Sequence, residues 1–128
     1  MYAFTRRFGV KGEFFIGQGL GTTGGGILQT VNTLTFNALH ATGGWVEVYY
    51  YLCPDKLHTH VGYGIDDPAD SNLAFGQLCR NQTIFANLIW DVTKFCRVAG
   101  EFTYRETGYK GLAGNDGVGF QTQVQWKF

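Results

Sequence analysis

Val118-Gly119-Phe120-Gln121-Thr122-Gln123-Val124-Gln125-Trp126-Lys127-Phe128 decides the fold class. One parity carries Val118, Phe120, Thr122, Val124, Trp126 and Phe128, and the other carries Gly119, Gln121, Gln123, Gln125 and Lys127. Side chains of an extended chain alternate between two faces, so a period of two predicts a strand with one apolar and one polar side. The same period recurs upstream. Cys96, Val98, Gly100, Phe102 and Tyr104 alternate with Arg97, Ala99, Glu101, Thr103 and Arg105. Ile84, Ala86, Leu88 and Trp90 alternate with Thr83, Phe85, Asn87, Ile89 and Asp91, a set whose polar side is interrupted by two apolar residues. Further strands are predicted around Val46–Leu52, Leu57–Gly64 and Phe8–Gly17. The expectation is an all-β, antiparallel up-and-down sheet of about six strands, a transmembrane β-barrel or a segment of one. Its 19 glycines, two prolines and 16% aromatic content suit strands joined by turns and give long helices little support.

The links add direction. Residues 53–56 and 92–95 are short and hold turn formers, whereas residues 18–43, 65–81 and 106–117 read as long loops. Within 28–39 the alternation is too feeble to predict strands. Short and long links that alternate strictly put both short turns at one end of the sheet and the three loops at the other. That layout matches outer-membrane barrels, with short periplasmic turns and long external loops.

Residue type along each strand points to the medium. The apolar parity is aliphatic or small in the middle, at Val48, Val61, Ala86, Val98, Gly100 and Val124. Tyr50, Trp90, Trp126 and Phe128 lie toward the short-turn end, and Tyr63, Phe102, Tyr104 and Phe120 toward the loop end. Two aromatic belts around an aliphatic band are what the two interfaces of a bilayer select. The other parity carries Lys11, Glu13, Glu47, His58, His60, Arg97, Glu101, Arg105, Gln121, Gln123, Gln125 and Lys127, which are expected to line water inside a pore. Trp45, Tyr49, Tyr51, Phe15, Phe85 and Ile89 depart from this sorting; they are expected to pack on an inward-folded loop or to narrow the lumen.

The last ten residues resemble the final strand of Gram-negative outer-membrane barrels, which alternates apolar residues and ends on a C-terminal Phe. The resemblance implies that Phe120, Val124, Trp126 and Phe128 belong to the signal read by the barrel-assembly machinery. More loosely, residues 44 to 128 are similar to the C-terminal region of bacterial outer-membrane porins, through Gly62-Tyr63-Gly64-Ile65-Asp66-Asp67-Pro68, Arg80-Asn81-Gln82-Thr83 and Asn115-Asp116-Gly117-Val118. The resemblance implies a bacterial outer-membrane channel that passes small polar solutes or ions, with a homo-trimer as the assembly it suggests, no catalytic residues and no cofactor. Roughly eight strands is the smallest barrel of this type, so a single 128-residue β-barrel domain with six strands is expected to be the C-terminal fragment of a longer barrel, the alternative being two further strands within residues 18–43.

Other functions find less support. Ten basic and ten acidic residues cancel, which disfavours a nucleic-acid partner. Cys53, Cys79 and Cys96 are odd in number and lack CxxC spacing, so isolated thiols are expected. The run 66–72 groups Asp66, Asp67 and Asp70 in an expected loop and is a weak calcium candidate, without the EF-hand spacing. His58 and His60 share a face but lack a placed third ligand. Arg97, Glu101 and Arg105 form a mixed-charge row, expected either to bias ion selectivity or to pair across strands. The glycines at 17–21 and 24–26 are not followed by the Lys-Ser/Thr of a phosphate loop, and Ser71 is the sole serine, so no enzyme is expected. The alternative medium is water around a soluble barrel of the lipocalin or fatty-acid-binding kind. There Val48, Val61, Leu88, Val98 and Val124 would line an apolar cavity, and Arg97, Glu101 and Lys127 would face solvent.

Overall fold

Tyr2–Ala3 (β1), Phe8–Gln18 (β2), His40–Cys53 (β3), Leu57–Pro68 (β4), Leu78–Asp91 (β5), Cys96–Tyr109 (β6) and Leu112–Trp126 (β7) form one sheet in chain order. The structure, a computed structural model, describes residues 2, 3, 5 and 7–128. Every neighbouring pair is antiparallel, and the six long strands make an up-and-down meander. The sheet does not close into a barrel. The outer edge of β7 is open, and that of β2 is covered only where Tyr2 and Ala3 meet Val10 and Gly9.

Two of the expected links are corrected. Residues 106–117 are not a long loop: β6 runs to Tyr109, β7 starts at Leu112, and only Lys110 and Gly111 turn the chain. Gly111 adopts φ 75°, the left-handed conformation that a residue without Cβ takes at little cost. The error has a physical cause. Glu106 and Asp116 are directly paired, so on the otherwise apolar side of β6 and β7 the ladder continues after the apolar band has ended. Polarity marks where a strand leaves the greasy zone, whereas hydrogen bonding marks where it ends. Likewise β4 extends to Pro68 and β5 begins at Leu78, which leaves 69–77 as the second loop. Residues 19–39 are the one long loop, tightened by short 3-10 turns at Leu20–Thr23 and Gly26–Leu28. The weak alternation there yields a single bridge, Val31 to Ala38.

The aromatic residues on the polar side have a packing reason. Phe15 lies directly across from Gly43, Tyr49 from Gly9, and Phe85 from Gly62. In each pair the ring covers the glycine, and a Cβ there would collide with it. Rings laid over glycine fill the gap left in the pleated surface. Leucine at Gly62 forces Phe85 out of place and is expected to cost about 1–3 kcal/mol. Denaturant unfolding of Gly62→Leu, alone and with Phe85→Ala, checks this: the double variant should recover most of the loss, and a single variant as stable as the parent contradicts the packing.

Among the described residues the buried apolar side chains are Leu39, Ala41, Pro68, Leu73 and Ala74, all gathered at the loop end. Among the described residues no continuous core runs beneath the sheet.

Candidate functional site

On the inner strands of the sheet the apolar parity is the more exposed face and the polar parity the more sheltered one. Along β5, Ile84, Ala86, Leu88 and Trp90 are exposed, while the alternating Phe85, Asn87, Ile89 and Asp91 are partly buried. Val48 (40% exposed), Val61 (52%), Phe102 (47%) and Val124 (70%) continue this apolar surface on the other strands. Cross-strand register aligns them: Val10, Val48, Val61, Ala86, Phe102 and Phe120 form one row across the sheet. Phe120, Val124 and Trp126 lie on this surface of β7, and Phe128 is exposed beyond the strand end.

Three hydrogen-bonded groups on the polar face hold most of its charged side chains. Toward the middle, Glu47 Oε1 accepts from Lys11 Nζ at 2.9 Å and meets His60 Nδ1 at 2.9 Å, and His60 Nε2 faces His58 Nδ1 at 3.0 Å. The register places Lys11 opposite Glu47, and His60 one strand further on. Near the short turns, Arg97 grips Asp91 with Nε at 2.9 Å and Nη2 at 2.8 Å, and Lys127 Nζ donates to the same carboxylate at 3.0 Å. On β5 to β7, Glu101 accepts from Asn87 Nδ2 at 3.2 Å and from Gln121 Nε2 at 2.7 Å.

The row of Arg97, Glu101 and Arg105 pairs across strands, each member with residues of β5 or β7. Arg97 binds Asp91, Glu101 binds amides, and Arg105 reaches Thr83 Oγ1 at 3.4 Å. Glu13, Gln123 and Gln125 are exposed. The partners that organise the face, above all Asp91, were visible in sequence by parity but not as hubs, because pairing across strands needs the register.

No protein-family profile, curated protein or solved structure matches this chain. The geometry alone speaks for what the site can do.

Residues 19–39 fold over the polar face at its loop end. Both oxygens of Asp66 accept backbone N–H groups, Gly26 at 3.0 Å and Ile27 at 2.7 Å. Burial raises the pKa of this carboxyl, which lies beyond the apolar band, and the two amide donors act in the opposite direction. Gly25 lies against Phe15, and Gly26 faces Ala41. Gln29 clasps the backbone of Leu78, donating to its carbonyl at 2.7 Å and accepting from its N–H at 3.2 Å. Asn32 Nδ2 donates to Asn72 O at 2.7 Å, and Lys110 Nζ to Asp70 O at 2.8 Å. These bonds tie the long loop to 69–77, and that loop to the Lys110-Gly111 turn.

The calcium candidate falls with this arrangement. Asp66 and Asp67 are consecutive strand residues and point to opposite faces, Asp66 is occupied by two amides, and Asp70 lies in a 3-10 turn. Among the described residues no three His, Cys, Asp or Glu side chains are grouped to hold a metal. Cys53, Cys79 and Cys96 are all free thiols, and Cys53 is exposed.

Proposed function

We propose that this sheet is part of the wall of an outer-membrane β-barrel channel, with its apolar face against lipid and its polar face lining a water-filled passage for small polar solutes or ions. The observation that carries the reading is the inverted sorting of the faces. Ion pairs and hydrogen-bonded His, Glu, Asp and Arg side chains occupy the sheltered side, and a row of Val, Ala and Phe occupies the exposed side. A contiguous apolar surface this broad marks contact with a membrane or partner. The apolar segment Cys96–Tyr104 is close to the 9–11 residues that a tilted strand needs to cross a bilayer.

Closure follows from energetics. In hydrocarbon each unpaired backbone group costs several kcal/mol, so the open edges of β2 and β7 need strand partners beyond this sheet. The loop tied down by Asp66 reduces the passage at the external end, and the short turns face the periplasm.

Planar-bilayer recording of protein refolded in detergent tests the proposal. Discrete conductance steps, together with a folded band on gels that shifts on heating, are expected. Monodisperse protein in plain buffer that binds a fatty acid and forms no pores overturns it and supports the lipocalin-like arrangement.

A further inference from the structure

The geometry points to a second property of the polar face: His58 and His60 form a two-imidazole site for a borderline divalent ion such as Ni²⁺ or Zn²⁺, with Glu47 as its orienting carboxylate. His58 Nδ1 and His60 Nε2 stand 3.0 Å apart. Two nitrogens bound at 2.0–2.1 Å to one ion and at right angles are about 2.9 Å apart, so the separation suits a shared metal once both rings turn their lone pairs off the line that joins them. In a neutral His60 ring, an N–H on Nδ1 facing Glu47 Oε1 at 2.9 Å leaves the lone pair on Nε2, the tautomer a metal ligand needs. A carboxylate behind a ligating imidazole fixes the ring and raises its basicity. Glu47 is in turn held by Lys11 at 2.9 Å.

Both rings are also fixed by aromatic neighbours. Tyr51 packs on His58 with centroids 5.0 Å apart, and Tyr49 on His60 at 5.8 Å. His58 is buried, and His60 keeps 15% of its side chain exposed, which leaves an approach from the polar side. With both rings neutral, the ring proton of His58 sits on Nδ1 and bridges to His60 Nε2. Binding of an ion by both nitrogens moves that one proton to His58 Nε2, and the charge of the protein is unchanged. Imidazole favours first-row borderline ions over Ca²⁺ or Mg²⁺. No third protein ligand is grouped with the pair, so water completes the shell and the ion remains exchangeable.

The chain has three histidines, and His40 is an exposed one at the start of β3, which gives an internal control. Titration of the folded, detergent-solubilised protein with Ni²⁺ by calorimetry measures binding without reference to any channel activity. His58→Gln and His60→Gln should each weaken binding by about tenfold or more, and Glu47→Gln by about 10–100-fold, whereas His40→Gln leaves it unchanged. Paramagnetic broadening in the unaltered protein provides a measurement that no misfolded variant can confuse. The ring signals of His58 and His60 should broaden at Ni²⁺ levels that leave His40 sharp. Equal broadening of all three rings, or Ni²⁺ affinity unaffected by both His58→Gln and His60→Gln, overturns the site.

Discussion

With the apolar face against lipid as proposed, arginine in place of Val61 should destabilise the sheet by about 2–4 kcal/mol, the cost of a cation at mid-depth on the lipid side of a barrel. Val61 is half exposed, sits in the central apolar row and pairs with Val48 and Ala86, so an added cation there would stand between apolar cross-strand partners. The matching control is Gln123→Arg. Gln123 pairs with Ala99 on the opposite face, where an added cation meets water. Denaturant titration of both variants refolded into vesicles should show a large loss for Val61→Arg and little change for Gln123→Arg. Equal losses, or a larger one at Gln123, would falsify the assignment of faces.

The second large effect concerns the loop. Asp66→Ala removes two charge-assisted acceptors at once, worth about 1.5–3 kcal/mol each when the donors are sheltered. Ile27 and Leu28 hold φ 52° and 61°, conformations that bulky L-residues avoid, so the latch also keeps a reluctant backbone in place. Once released, the 3-10 turn at Gly26–Leu28 is expected to relax, with residues 19–39 swinging off the polar face. In the proposed channel, single-channel conductance should rise, and amide exchange at Gly26 and Ile27 should accelerate. Unchanged conductance with unchanged exchange would show that Gln29 and Asn32 are enough to hold the loop, and that Asp66 is no latch.

The long strands and their two faces were legible because period-two alternation is a property of single strands. Val98, Val124 and Trp126 fell on the exposed side, and Arg97 and Lys127 on the side where ion pairs form. What was not legible depends on register. Asp66 looked like a loop oxygen donor because it precedes Asp67-Pro68, yet the ladder continues through both to Pro68. Phe15 and Phe85 looked misplaced because the glycines beneath them, Gly43 and Gly62, are 28 and 23 residues away in sequence. The histidine pair was visible as a spacing, but its Glu47 and Lys11 partners belong to other strands.

The rings laid over glycine bind distant codons together. Neither Gly62 nor Phe85 is free to drift alone, since any side chain at the first meets the second, and shrinking the second leaves a hole above the first. An exchange of the two residue types between these positions preserves the combined volume, so substitution there is expected to proceed in steps of two, and ancestry should leave its record in such pairs more durably than in the glutamine-rich final strand.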